Sequence, residues 1–481
     1  MISTRYNQVS IHYITNSFQT MTIKHTKSLA TTLLLVLTSM AGHAQYVQNN
    51  YFMETALLRH QSNPAFLLDD KYMTIPFLGN IHVGASGNYG ASTFIYSIDP
   101  AKNNGYKWGT FMHPDVSNEM FYNKLGTSDV RTFTNLNLNV LSIGFNAFHG
   151  TNLIEVNVRS NAAVSLPNEL FRFAKDPSAK TEYDFSGMGA RAQAYTEVAL
   201  GHAHRINKNL TIGAKVKVLF GGAYANVDVE KLHLTMMEDE WAVQGRIVGS
   251  AAILKSHIEL DSDGQFKDVE DVKPGVTGLG LAMDLGATYQ ITGVKGLTLS
   301  MALNDMGFIS HSKAQNYKPI KDTDWTFSAY VTSDKQNSQD VGDEFEQMGE
   351  DLKSLIRFEE TPEKGVNGSI PMTMNIGVEY DMPFYDKMSV GLLHTERMND
   401  IAPWNSTMLT ARVRPAKVFE ASLSTSVGTS HAQLGGAVSL HCTGFSLMLS
   451  TDNFITKVSK QYIPINNIST NVTLGVGIPL K

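Results

Sequence analysis

Strict two-residue alternation, repeated along most of the chain, constrains this sequence more than any other feature. Between Asn152 and Asn161, Ile154, Val156 and Val158 share one parity, while Glu155, Asn157, Arg159 and Asn161 share the other. Successive side chains of a strand point to opposite faces, so such a segment has one oily face and one polar face. The pattern recurs where Leu210, Ile212, Ala214, Val216, Val218 and Phe220 oppose Thr211, Gly213, Lys215 and Lys217. It recurs again where Leu279, Leu281, Met283 and Leu285 oppose Gly280, Asp284 and Gly286, and where Met374, Ile376 and Val378 oppose Asn375, Gly377 and Glu379. Most of these segments run to roughly eight to twelve residues. A tilted strand needs about 9–11 residues to cross a bilayer, whereas soluble strands centre near five or six.

The direction of the oily face decides the fold. A soluble sandwich turns it inward; a membrane barrel turns it outward to lipid and keeps Glu155 and Arg159 in a wet lumen. The polar parity here is rich in Gly, Ser, Thr and Asn with scattered opposite charges, which suits a lumen. Charged residues make up 17% of the chain, below the roughly 25% usual for soluble domains. Short polar turns such as His149-Gly150-Thr151-Asn152 alternate with long insertions at 98–130, 255–276 and 311–369. Aromatics gather towards segment ends (Phe145, Phe148, Tyr289, Tyr380, Phe384, Tyr385, Trp404), as interfacial girdles do. The expectation is an all-β, transmembrane antiparallel β-barrel of about 14–16 strands on the usual even-numbered plan. Two stretches break the pattern and predict short helices: Pro167 to Lys175, opened by proline, and Val341 to Phe358, apolar at helical spacing.

The N-terminus predicts export. Lys24 and Lys27 precede an apolar core from Leu29 to Met40 and a small-x-small site, Gly42-His43-Ala44, which is the three-part plan of a signal peptide. Residues 1–44 are read as that signal, with translation expected from Met21, residues 45–68 as an N-terminal plug segment, and residues 69–481 as the barrel. The protein is expected in the cell outer membrane, with outer-membrane lipid around it. Cys442 is the only cysteine, so an internal disulfide has no partner. The net charge of −6 and the lack of a Lys/Arg stripe argue against nucleic acid as a partner.

Ser62-Asn63-Pro64-Ala65-Phe66 resembles the Asn-Pro-Ala signature of outer-membrane barrels like the long-chain fatty acid transporter (FadL-like). Leu200 to Ile206 followed by Leu210 to Lys217 resembles a hairpin of those families, and Leu297 to Ile309, ending Asn304-Asp305-Met306-Gly307-Phe308, resembles their paired strands. The nearest resemblance is to an uncharacterised family of such barrels from Gram-negative bacteria of the Bacteroides group, over about Gln45 to Lys481. One departure is the C-terminal Ile478-Pro479-Leu480-Lys481, where many outer-membrane barrels end on an aromatic. The resemblance implies that the segment carrying Asn63, Pro64, Ala65 and Phe66 threads into the lumen as a plug. It also implies passage of a small hydrophobic solute. A second reading is a barrel that docks exported proteins or surface partners through its long loops, resembling the shuttle barrel (PorV-like) of the type IX secretion system.

Polar residues expected to face the lumen are Glu155, Arg159, Arg191, Glu197, Lys215, Lys217, Glu379, Arg412 and Arg414, as solvated or cross-strand paired groups. His202 and His204 share a face at metal-ligand spacing, but they sit at a strand end and read as an interfacial polar pair. Asp261-Ser262-Asp263-Gly264 opens like a calcium loop, lacks a third acidic ligand, has Val272 where the bidentate glutamate belongs, and reads as a solvated turn. Neither a nucleophile elbow, a His-Glu-x-x-His helix nor a phosphate-cradling glycine loop occurs, so no enzyme, metal site or cofactor is expected.

Overall fold

The computed structural model describes residues 48–480 apart from 68–70, 104, 238–239, 254–256, 263, 265, 271–274, 320–322, 329–357, 399–400, 430–431 and 455–468. Fourteen antiparallel staves close into a barrel. In chain order they are β1 (Lys71–Thr74 and Ile81–Gly87, one interrupted stave), β2 (Val130–Ala147), β3 (Gly150–Leu166), β4 (Gly189–Arg205) and β5 (Leu210–Met236). There follow β6 (Gly278–Gln290), β7 (Leu297–Pro319), β8 (Phe358–Ser369 and Met372–Asp381), β9 (Met388–Met398) and β10 (Trp404–Ala416). The set ends with β11 (Phe419–Gly428), β12 (Gln433–Cys442), β13 (Phe445–Thr451) and β14 (Ser469–Leu480). Closure comes from β1, which pairs with β14 on one side (Met73 opposite Ile478, Val83 opposite Val472) and with β2 on the other (Val83 opposite Leu136).

The oily parity faces out. Ile154, Leu200, Val216, Leu279 and Leu281 are all exposed, Leu200 at 61%, whereas Glu155, Lys215 and Asp284, on the opposite parity of their strands, are 0–1% exposed. A soluble protein does not present a continuous aliphatic wall. In hydrocarbon a closed barrel is the form of sheet that pairs every backbone N–H and C=O without water. The exterior is therefore the lipid face.

One end of the barrel carries tight turns. Phe148 and His149 join β2 to β3 with φ of 57° and 59°, the left-handed pair that a two-residue hairpin turn demands. The other end extends well above the bilayer. The 27 residues of β5 pair below with β6 (Leu210 opposite Tyr289, Gly221 opposite Gly278) and above with a strand at Glu240–Ile253 (Ala223 opposite Ile253). The insertion at 311–369 is therefore not wholly loop, since β7 runs on to Pro319 and β8 begins at Phe358. The rest of the helical expectation for Val341 to Phe358 lies outside the described residues. The proline-opened helix is present as α2 (Asn168–Lys175), beside α1 (Asn118–Leu125), which Ser117 caps through Met120 N. Both help to pack an aromatic cluster of Phe94, Phe111, Phe121 and Phe171 at the long-loop end. Phe148, Tyr289, Phe384 and Tyr385 are exposed at the short-turn end, as girdle residues are. Trp404 departs from that grouping: it lies on the inward parity of β10 with Ser406 and is 5% exposed, so it lines the interior.

Candidate functional site

Residues 48–67 lie inside the barrel, and their polar groups are tied to the wall on several sides. The backbone N–H groups of Gln48 and Asn49 donate to the Asp452 carboxylate at 2.9–3.1 Å, just past β13. Tyr51 Oη donates to Ser300 Oγ on β7 at 3.0 Å, and the Glu54 and Thr55 N–H groups donate to Glu420 on β11 at 3.0 and 2.8 Å. Gln61 Nε2 donates to Glu155 Oε1 on β3 at 2.5 Å. Ser62 O accepts from Asn304 Nδ2 on β7 at 2.8 Å and from Asn375 Nδ2 on β8 at 2.9 Å. Asn63 Oδ1 accepts from Ala65 N at 3.0 Å, which caps the 3₁₀ turn Pro64–Phe66, and Asn63 Nδ2 donates towards Met301 O at 3.3 Å. Phe66 packs edge-on against Tyr51 and lies 4.0 Å beneath the Arg59 guanidinium.

Wall glycines make room for this segment. Gly213 on β5 and Gly286 on β6 are paired across the ladder. A Cβ on Gly213 would meet the Pro64 carbonyl carbon at 2.4 Å, and one on Gly286 would meet Asn63 Oδ1 at 2.0 Å. A Cβ on Gly391 would meet the Phe52 ring at 2.5 Å. Glycine at these positions leaves the wall thin where another backbone approaches closely.

Three ionic groups line the interior around the segment. In the first, Lys217 Nζ lies 2.7 Å from Asp284 and 2.6 Å from Asp305, while Arg159 bridges Asp305 at 2.9 Å and Glu197 at 3.0 Å. All five are at most 6% exposed. In the second, Lys215 Nζ lies 3.3 Å from Glu155, whose carboxylate also meets Gln61 and His60 of the segment. Burial, reinforced by Lys215, pushes the His60 imidazole below its ordinary pKa against the pull of Glu155, so the ring is neutral at pH 7. In the third, Arg412 meets Glu379 at 3.0 Å, Glu420 at 2.9 Å and Glu54 of the segment at 3.2 Å, and Arg414 meets Glu54 at 2.9 Å. Burial opposes the charged form of Glu54, but Arg412, Arg59 and Arg414 outweigh it and hold that carboxyl below the usual carboxylate range. The second and third groups therefore span segment and wall.

Glu155, Arg159, Glu197, Lys215, Lys217, Glu379 and Arg412 all belong to these groups. Arg191 stands apart, half-buried, with Nε donating to Asn226 Oδ1 at 3.0 Å. Sequence reasoning did not single out Asp305, Asp284, Glu420, Glu54 or His60. Asp284 and Glu420 sit on polar parities and had that signal. Asp305 had the opposite one, because strict alternation from Leu299, Met301 and Leu303 would send it to lipid. A bulge turns it round: Met283 pairs with Met306 but Leu285 pairs with Leu303, so Asn304 and Asp305 together oppose Asp284. Asp305 takes a φ of 61°, its N–H donates to Asp284 Oδ1 at 2.7 Å, and both Asn304 and Asp305 point inward.

His202 and His204 share the outward parity of β4 with Leu200, stacked 5.9 Å apart near the short-turn end, and His202 Nδ1 meets Asn152 Oδ1 at 3.0 Å. Gly264 N donates to Asp261 O at 3.0 Å in a turn, and Asp263 lies outside the described residues. Among the described residues no group of three or more His, Cys, Asp or Glu is arranged to hold a metal.

Several solved barrels are similar to this chain at low identity. The Pseudomonas putida toluene transporter TodX is 8% identical, with 87% of this chain and 92% of that one covered and a TM-score of 0.37. A Pseudomonas aeruginosa FadL homologue is 11% identical, with 86% and 92% covered and a TM-score of 0.35. The translocator domain of the autotransporter NalP from Neisseria meningitidis is 8% identical, with 86% and 89% covered and a TM-score of 0.30. No curated protein matches the chain. A sequence profile does match over residues 64–452, and by that match the chain belongs to DUF5723, a family of unknown function.

Proposed function

We propose that this protein is an outer-membrane channel in which the segment at 48–67 is a displaceable plug for a small solute. The solute class implied by the sequence resemblance is a small hydrophobic molecule. The observation that carries the reading is how the segment is held. It is bound to β3, β7, β8, β11 and the end of β13 by hydrogen bonds and ion pairs, yet among the described residues it leads along the chain into the wall only from its C-terminal end. A seat made of many separate polar contacts can be vacated without opening the barrel ladder. In this reading Asn63, Pro64, Ala65 and Phe66 form the element that moves against Gly213 and Gly286. The ionic groups of the wall keep a polar lining behind it, and no chemical reaction is assigned. Deletion of residues 45–66 followed by reconstitution into liposomes is the test: solute leak rises if the segment closes the lumen, and an unchanged leak removes the plug role.

A second reading, a barrel that docks exported proteins or surface partners, is favoured by the tier above the bilayer. The upper half of β5, the strand Glu240–Ile253 and the strand Thr323–Ser328 make a raised sheet. Affinity capture of the full chain from its native membrane separates the readings, since a stoichiometric protein partner belongs to the second.

A further inference from the structure

At the long-loop end, above the ionic groups, a cavity of about 450 Å³ opens between the tops of β1 and β2 and the adjoining ends of β10 and β11. That volume falls within the roughly 300–1,000 Å³ of small-molecule sites. Half of its lining side chains are hydroxyl, amide or cationic, among them Asn88, Lys124, Ser128, Arg131 and Thr429. The apolar remainder includes two aromatic groups, Phe133 and Trp404.

Two buried donors there lack acceptors among the described residues. Trp404 is 5% exposed and its indole Nε1–H has no hydrogen-bond partner. Arg131 Nε is also buried without a partner, although its Nη2 reaches Asp129 at 3.2 Å. Buried polar groups are normally paired, so two unpartnered donors on residues that line one cavity point to a ligand that brings acceptors. Lys124, whose Nζ donates to Ser92 O at 3.0 Å and lies over the Tyr96 ring, adds a second cation. Among the described residues Asp129 balances Arg131, and Lys124 leaves one positive charge in excess. Among the described residues no acidic side chain lines the cavity.

We propose that this cavity binds an acidic saccharide, its carboxylate at Arg131 and a ring oxygen or hydroxyl at the Trp404 N–H. A hydrocarbon chain suits the site poorly, because it would strip water from the hydroxyl and amide groups and return no hydrogen bond. A sugar ring offers oxygen acceptors at its edge and a C–H face to the aromatic side chains, and a uronate also neutralises the excess charge. The site stands independently of the plug reading, because none of its lining residues belongs to segment 48–67.

The test is calorimetric titration of the full chain in detergent with glucuronate, glucose and hexanoate. Glucuronate binds at one site per chain, glucose at least about tenfold more weakly, and hexanoate with no saturable heat. Trp404→Phe keeps the aromatic wall but removes the donor, and Arg131→Gln removes the charge; each weakens glucuronate by about tenfold or more, as expected for a lost charge-assisted or buried hydrogen bond. Heat-modifiable migration on a gel confirms that each variant has closed its barrel, and Arg131→Lys, which keeps the cation, retains part of the affinity. Hexanoate binding as tightly as glucuronate, no heat with glucuronate, or unchanged affinity in folded Trp404→Phe each overturns the proposal. A uronate trimer that binds more tightly than the monomer places the ligand at the end of a glycan chain, and equal affinity places it as a free sugar; both support the site.

Discussion

The seat of the N-terminal segment can be disturbed at one wall position without touching a charge. Gly213→Ala adds a Cβ that would lie 2.4–2.5 Å from the Pro64 carbonyl carbon, the Pro64 oxygen and Ala65 N. These are backbone atoms, so no rotamer change relieves the clash. Ordinary contact begins near 3.4 Å, and 3.4 minus 2.4 leaves a shift of about 1 Å for the segment to make. The two bonds that Ser62 O accepts from Asn304 and Asn375, at 2.8 and 2.9 Å, stretch by a comparable amount and are lost. At about 0.5–1.5 kcal/mol each, their loss weakens the seat by about 1–3 kcal/mol, which multiplies the displaced population by about 5- to 150-fold. Single-channel conductance or liposome swelling reads that population. Gly286→Ala, which meets Asn63 Oδ1 at 2.0 Å, has the same direction of effect. Gly293→Ala, with nothing within 4 Å of the added Cβ, serves as the control. If Gly213→Ala and Gly293→Ala conduct alike in closed barrels, the segment does not gate the lumen.

Three further outcomes follow from the interior and the wall. Lys217→Met leaves Asp284 and Asp305 buried with Arg159 and, at longer range, Arg397 as their remaining cations, and costs about 3–5 kcal/mol; the temperature at which the folded gel band disappears falls, while Lys208→Met, in an exposed turn, leaves it unchanged. His60 has a depressed pKa when seated and regains about 6.5 in water, so the displaced state binds more protons and gains on the seated one as pH falls below about 6.5, until the seated ring itself titrates. Leak therefore rises on acidification from pH 7 to 5, and His60→Gln flattens the rise; a profile unchanged by that substitution refutes the assignment. Leu281→Arg puts a cation on the lipid face, where it costs about 2–4 kcal/mol near the bilayer midplane, and reduces the heat-modifiable fraction in membranes; normal insertion of that variant would contradict the orientation of the wall.

Orientation of the barrel was legible because alternation is a local signal. Ile154, Val216 and Leu281 are separated in the chain, but each is opposed by a polar neighbour on its own strand, and a one-residue slip would invert every face at once. Other features of the fold are non-local. Leu210–Met236 alternates on either side of Val218–Ala225, and the Gly221-Gly222 pair at the junction, where the register with β4 slips, does not say that the lower half pairs with β6 and the upper half with Glu240–Ile253. The insertion at 311–369 read as loop for a related reason. Above the bilayer the exterior meets water, so β7 and β8 continue as strands with no need for an oily face, and the period-two signal fades while the ladder goes on.

The ionic interior shows the limit of parity more sharply. Alternation separates Lys215 and Lys217 from their apolar neighbours, but it does not say what anions meet them, since Glu155, Asp284 and Asp305 come from three other staves. Asp305 is the instructive case, as its own parity is that of Leu299, Met301 and Leu303. The residue reaches the interior only because β7 carries one more residue than β6 at that point, and the extra residue takes the left-handed conformation that aspartate tolerates better than most. The Asn-Asp-x-Gly-Phe element thus does two things that a regular strand cannot. It turns two consecutive polar side chains inward, and it aims them at different partners. Asn304 holds Ser62 of the segment, while Asp305 joins Lys217 and Arg159 of the wall. Removing the bulge by deleting Asp305 would restore strict alternation and strip one anion from Lys217. Met306 and Phe308 would keep their outward parity relative to Leu303, so the lipid face would survive while the contact between wall and segment would not.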